Sequence, residues 1–296
     1  MARRPFEAGH RVAGSLRIRR LKLKINVVGE RAVGKTSLIQ RYVEARHTPE
    51  YKGTLGVHMH RVDVELPGDE PGDVILANIA IFDQMGEHAI RENFRDALFY
   101  GTQGALAVCD IERPDTLQTL SEWIRAVSAV TGGVPFRIVF NKVDRARGSK
   151  IGPAESAWLK DNFPGAPTSL TSAATGEGVE EAFAGIIGQA VDAMMAGEKN
   201  RKVRKLLRQR ILVFAARREG NGITKSELFA NMRDVKPDEV MEELDNLVRL
   251  DLLVQYDAGP KTFLKSSTLP ATFRYQITPL GRKVAASPAI EDLVVE

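Results

Sequence analysis

The chain has 296 residues, 43% of them hydrophobic, and a net charge of +4, enough for one large or two ordinary domains with a core in each. Its one cysteine, Cys109, excludes a disulfide framework and points to a reducing, cytoplasmic compartment. No apolar run is long enough for a membrane span, no secretory leader is visible, and no lipid-anchor signal is present, so at most peripheral membrane contact is expected.

Residues 1–24 hold eight Lys/Arg against one Glu, and residues 1–20 read as a basic tail. Residues 21–29 alternate and then turn apolar up to Gly29, as a strand entering a core would. A helix is expected from Thr36 to about Arg46. Strands over 57–66 and 74–82 flank Pro67-Gly68-Asp69-Glu70-Pro71-Gly72, a turn by composition. Apolar runs at 104–110 and 136–140 suit buried parallel strands. Between them a helix runs from Pro114 to about Val130, with Leu120 and Trp123 on one face. Helices at 153–163 and 178–196 bracket a last short strand, Ser169-Leu170-Thr171. Six strands alternating with helices predict an α/β domain over 21–197 with a mostly parallel six-stranded sheet.

The pattern changes at Gly197-Glu198-Lys199-Asn200, the expected domain boundary. Residues 199–218 hold nine Lys/Arg and no acid, and 201–218 read as a basic linker helix. On it Arg201, Arg204, Lys205 and Arg208 share one face, expected to be wet. Val203, Leu206 and Leu207 share another, expected to be packed. Short helices follow at 224–231 and 237–250, opened by Thr224 and by Pro237 with Asp238. Strands at 252–256 and 273–277 and a helix from Leu280 to about Ala286 complete a smaller α+β domain over 198–290. Three helices with a two-stranded ribbon form a winged-helix arrangement. Arg274-Tyr275-Gln276-Ile277-Thr278-Pro279-Leu280-Gly281-Arg282 resembles the last strand and helix start of prokaryotic winged-helix domains.

Gly29-Glu30-Arg31-Ala32-Val33-Gly34-Lys35-Thr36 is a P-loop string, and it sits after a strand and opens a helix, as its mechanism requires. Its glycines let the backbone curl so that successive N–H groups face phosphates. Lys35 would bridge the β- and γ-phosphates and the Thr36 hydroxyl would ligate magnesium, with Ser37 beside it at the nucleotide. Asp83-Gln84-Met85-Gly86 follows a strand; Asp83 would hold the magnesium shell and the Gly86 amide would face the γ-phosphate. Asn141-Lys142-Val143-Asp144 follows another strand. The Asp144 carboxylate can accept from N1–H and the 2-amino group of guanine, a donor pair that adenine lacks. Thr171-Ser172-Ala173 would supply backbone donors to the guanine carbonyl. Four motifs in order, each at a strand end, point to GTP and GDP as ligands with Mg2+ as cofactor.

With these motifs the chain resembles the Ras superfamily of small GTPases, most closely its Rab-like members, over about residues 21–196. Leu106-Ala107-Val108-Cys109-Asp110-Ile111, then Arg113-Pro114-Asp115-Thr116 and Trp123, is similar to the family's middle strand and helix. Tyr51-Lys52-Gly53-Thr54-Leu55-Gly56 is similar to its first switch. The resemblance implies that Thr54 contacts magnesium when a γ-phosphate is present and that Gly86 anchors the second switch, giving a GTP-on, GDP-off device. His47 stands where an aromatic residue usually caps the guanine, and Ala174 where a Lys packs along the base; both imply looser nucleotide retention. Glu87 replaces the Gln that orients the attacking water. Arg31 occupies a position that is usually small because an activating arginine enters there. Arg31 would point into solvent, act as its own finger, or pair with Glu87.

The expected function is a GTP-binding switch with slow intrinsic hydrolysis, addressing an unidentified protein effector or regulator. Helix 237–250 carries Asp238, Glu239, Glu242, Glu243 and Asp245 against Arg249, which argues for a protein partner or intramolecular docking over DNA. Lys261, Lys265 and Arg274 keep DNA open through the wing, and RNA or a membrane surface stays possible. A GTP-controlled DNA-binding regulator and a GTP-binding scaffold without hydrolysis are the alternatives.

Overall fold

A computed structural model describes residues 17–46, 50–52, 57–68, 70, 72–84, 92–145, 152–218, 220–257 and 273–287. The chain divides into two compact units between Met194 and Met195.

In the first unit the elements are β1 (Ile18–Val28), α1 (Lys35–Glu44), β2 (Glu50–Lys52), β3 (Val57–Pro67), β4 (Val74–Gln84) and α2 (Glu92–Phe99). There follow β5 (Gly104–Asp110), α3 (Asp115–Gln118), α4 (Leu120–Thr131), β6 (Phe136–Asn141), α5 (Pro153–Asn162), β7 (Thr168–Thr171) and the start of α6 (Val179–Ala216). The sheet order is β2-β3-β4-β1-β5-β6-β7. Pairing from β4 through β7 is parallel, while β3 joins β4 and β2 joins β3 antiparallel. The six expected strands are present, and the short β2 adds a seventh at the edge. Ile18–Arg20, expected in the basic tail, instead lengthen β1, because their backbones pair with Val74–Leu76 of β4.

The central strands are apolar on both faces, as a covered parallel sheet requires. Every residue of β5 is buried. Leu120, Trp123 and Val127 of α4 cover one face of the sheet together with Phe99. Tyr42 of α1 stacks on Phe183 of α6 at 4.1 Å between ring centres, in the buried layer with Ile39, Ile186 and Ile187. The single helix expected over 114–130 is divided at Thr119 into α3 and α4. Helix α2 was not foreseen from the sequence.

The second unit holds the rest of α6, then α7 (Lys225–Asn231), α8 (Pro237–Arg249), β8 (Leu253–Asp257), β9 (Phe273–Ile277) and α9 (Pro279–Ala286). The helix does not break at 197–200 as expected; α6 is continuous through Gly197. A glycine inside a helix costs only about 1 kcal/mol relative to alanine, which flanking helix formers offset. Thr224 and Glu227 form a capping box on α7. β8 and β9 pair antiparallel, and Ile223 bridges to Tyr275. The core lies among Leu207, Ile211, Leu228, Leu244, Leu247 and Tyr275.

Two expectations for the linker helix are corrected. Val203 and Leu206 are 48% and 61% exposed, and only Leu207 of that trio is buried. Nor is the basic face simply wet: Arg204 donates to Glu242 at 2.7 Å and Arg208 to Glu243 at 2.5 Å. Glu243, counted among five repelling carboxylates, is buried at 2% exposure. An unpaired carboxylate there would be costly, and the guanidinium of Arg208 removes that cost. Among the described residues, no helix is long and apolar enough to cross a membrane.

Candidate nucleotide site

The P-loop, residues 29–34, joins the buried end of β1 to α1. Gly29 has φ 138°, and a Cβ there would lie 2.2 Å from the Val108 carbonyl oxygen of β5. Gly34 has φ 100°, and a Cβ there would lie 2.3 Å from Nδ2 of Asn141. Both positions therefore require glycine, sterically and conformationally. Gly34 is also the N-cap of α1, where no side chain caps the free N–H groups and no acid occupies the first turn. An uncapped helix N-terminus of this kind attracts anions.

The loop carbonyls are held from outside. Lys35 Nζ donates to the oxygens of Gly29 at 2.8 Å and Glu30 at 2.7 Å. Arg113 Nη2 donates to Arg31 O at 2.9 Å, Lys142 Nζ to Ala32 O at 2.8 Å, and Asn141 Nδ2 to Val33 O at 2.8 Å. Five successive carbonyls thus each accept from a side chain. Burial pushes the Lys35 ammonium below its usual pKa, while Asp83 and Glu30 act in the opposite sense.

β4 runs parallel to β1 with Asp83 opposite Val27, which sets Asp83 beside the loop. Thr36 Oγ1 donates to Asp83 Oδ2 at 2.5 Å. A hydroxyl and a carboxylate are both hard oxygen donors of the kind magnesium takes. Thr36 and Asp83 therefore fit that ion as a pair.

Asp110, Asn141 and Thr171 are register partners at the ends of β5, β6 and β7. Asn141 is buried; its Oδ1 accepts from Thr171 Oγ1 at 3.1 Å and from Ala173 N at 3.2 Å. One amide side chain therefore ties the P-loop to the loop after β7. Ser172 Oγ donates to Asp144 Oδ1 at 2.5 Å, which orients that carboxylate. Arg41 of α1 donates to Ala173 O at 3.0 Å and Ala174 O at 2.7 Å.

Of the predicted residues, Gly29 to Ser37, Asp83, Asn141, Lys142, Asp144, Ser172, Ala173 and Ala174 converge at the strand ends. Arg31 is exposed on the loop, and Ser37 is exposed on α1. Lys142 has φ 69° and bonds both Ala32 O and Asp110 Oδ2. His47, Thr54, Gly86 and Glu87 lie outside the described residues. Sequence reasoning gave no role to Arg41, Asp110 or Arg113; the one signal was Asp110's place at the end of a buried strand.

A model of the Ras family matches residues 24–192. Over 191 residues the chain is 30% identical to the Ras-related protein RABG3f of Arabidopsis thaliana, covering 61% of this chain and 86% of that one. It is 28% identical over 180 residues to the Ypt/Rab-type GTPase YPT7 of Saccharomyces cerevisiae, covering 59% and 84%. It is also 28% identical over 185 residues to the DnaJ homolog subfamily C member 27-A of Xenopus laevis, covering 60% of this chain and 65% of that protein. With more than half its length under that one family model, and with the P-loop, Asp83 and Asn141–Asp144 gathered at one end of its sheet, the chain belongs to the Ras family.

Proposed function

We propose that the first unit is a guanine-nucleotide switch that binds GTP and GDP with Mg2+ and hydrolyses GTP slowly. The observation that carries this reading is the Asn141 side chain, which joins the phosphate loop at Val33 to the base-reading loop at Ala173. Phosphate and base recognition are thereby built on one buried amide. In this reading N–H groups of residues 30–36 and Lys35 hold the phosphates, and Asp144 takes the guanine edge with Ser172 orienting it. Ala173 and Ala174 line the base loop, with His47 against the base. Thr36, Asp83 and Thr54 would hold magnesium, which when bound neutralises phosphate charge. Competition binding with GTP, ATP and XTP tests the base assignment. Asp144→Asn should lower GTP affinity on the order of 100-fold and move preference to XTP. Unchanged GTP preference removes Asp144 from the site.

Hydrolysis in this reading rests on Gly86, Glu87 and Arg31. Arg31 is exposed, and its carbonyl accepts from Arg113. Single-turnover hydrolysis by Arg31→Gly separates the roles. A loss of rate supports a finger in cis, a gain supports a pairing with Glu87, and a change under twofold makes Arg31 a bystander.

The second unit is proposed as a winged-helix module that binds protein, in a cytoplasmic setting. Support comes from its ion pairs: Arg204, Arg208, Arg210 and Arg218 each face a carboxylate, at 2.5 to 3.0 Å. Cations so matched offer little to a nucleic-acid backbone. Sub-micromolar binding to one defined duplex at physiological salt overturns this reading in favour of a DNA-binding regulator.

A further inference from the structure

We infer that Arg113 and Asp110 form a clamp that holds the phosphate loop in its ligand-ready shape, with Arg113 as a positioning residue for nucleotide retention. The inference rests on the guanine-nucleotide reading above and deepens it.

Asp110 ends β5, and its side chain is 3% exposed. Its Oδ2 accepts from Lys142 Nζ at 2.7 Å and from Arg113 Nε at 3.1 Å. Its Oδ1 accepts from the Glu112 amide at 3.1 Å. One carboxylate therefore gathers both cations that grip the loop: Lys142 on Ala32 O and Arg113 on Arg31 O. Burial opposes ionisation of Asp110, but the bonds from Lys142, Glu112 N and Arg113 outweigh it and hold the carboxyl below its usual pKa. The carboxylate thus stays charged, and both cations stay anchored.

The backbone shows why a clamp is needed. Among the described residues, non-glycine positive φ occurs at Ala32 (61°), Lys142 (69°) and Asp251 (56°). Two of these three are joined directly by the Lys142–Ala32 bond. A non-glycine residue in this region is strained and persists only where its surroundings fix it. The carbonyls of Arg31 and Ala32 are engaged by these two cations, and in the guanine-nucleotide reading the N–H groups of the loop take the phosphates. Arg113 itself is fixed by its turn: its amide donates to Asp110 O at 2.9 Å, and Thr116 Oγ1 donates to Arg113 O at 2.6 Å.

Because Lys142 and Asp144 share one base-reading loop, the clamp also joins base recognition to phosphate recognition. Its two cations share Asp110 Oδ2, so their effects on nucleotide binding are not independent.

The test uses the full chain and three variants, Arg113→Ala, Arg113→Lys and Lys142→Ala, with the Arg113→Ala/Lys142→Ala double. Release of a fluorescent GDP should be about tenfold faster in Arg113→Ala, the scale of a charge-assisted hydrogen bond. Arg113→Lys should recover part of the loss, since one ammonium can reach Asp110 or Arg31 O. The double variant should lose less than the product of the singles. Amide exchange at residues 29–34, measured without nucleotide, should quicken in Arg113→Ala while the unfolding temperature holds. Release within about twofold of wild type, or release that quickens only as far as the unfolding temperature falls, overturns the clamp. If the wild-type chain retains no guanine nucleotide, the functional reading fails, and unchanged exchange at 29–34 in Arg113→Ala would then reject the clamp on its own.

Discussion

The phosphate loop and the linker helix are both rich in cations, yet the two use them differently. Around the loop, Lys35, Arg113 and Lys142 donate to neutral backbone carbonyls, and the Asp110 carboxylate anchors the last two. On the part of α6 in the second unit, Arg204, Arg208 and Arg210 donate to the carboxylates Glu242, Glu243 and Asp234. In the first case cations shape a backbone whose N–H groups are left for an anion. In the second they neutralise partners within the same unit. A count of Lys and Arg therefore says little about where an anion goes; the identity of each acceptor says much more.

The largest effect that sharpens this contrast is expected at Lys35. Lys35→Ala should lower GDP affinity about 100-fold or more, because a buried, hydrogen-bonded cation is lost. Arg204→Ala, an equal loss of charge in the second unit, should leave GDP affinity within about twofold. Equilibrium titration with a fluorescent GDP measures both. Equal losses in the two variants would erase the distinction between loop cations and helix cations.

Next in size is the Arg208–Glu243 pair. Arg208→Ala strands a carboxylate that is 2% exposed, at a cost of about 3 kcal/mol to the second unit. Urea-dependent amide exchange across residues 207–215 measures it. Replacing both partners by apolar residues, Arg208→Met with Glu243→Leu, should recover most of that loss. A loss that persists in the double variant would mean that the pair acts through more than its charge.

What could be read from the sequence follows from how local each feature is. The P-loop, Asn141–Asp144 and the buried strands are each written in a run of a few residues: continuous apolar runs mark β5 and β6, and Pro237 with Asp238 marks the start of α8. The features that were missed depend on distant partners. Arg113 meets Arg31 across 82 residues, and Arg41 meets Ala173 across 132. The linker helix reads as an exposed basic strip because Glu242 and Glu243 lie 38 and 35 residues from their arginines. The boundary glycine misled for a different reason: Gly197 has the composition of a break, but its helix penalty is too small to make one.

The smallest expected effect lies at Arg210 and Asp234, and it tests whether geometry alone makes an ion pair matter. The pair is bidentate, with Arg210 Nη1 and Nη2 at 2.7 and 2.8 Å from the two carboxylate oxygens. The hydrogen bonds from Arg210 pull the Asp234 carboxyl down to about 2. A depressed carboxyl contributes stability above its unfolded pKa, and that contribution fades as pH falls through the folded one. The window for Asp234 therefore runs from the ordinary aspartate value of 3.8 down to about 2. Both side chains are exposed, 41% for Arg210 and 66% for Asp234, so water and salt screen the attraction. Asp234→Asn should leave the urea midpoint at neutral pH unchanged within error, and raising salt should shift the wild type no more than the variant. A clear midpoint drop that disappears at high salt would show that the exposed bidentate pair carries stability of its own, and the surface of α6 would then resemble its buried Arg208 contact more than the contrast with the phosphate loop allows.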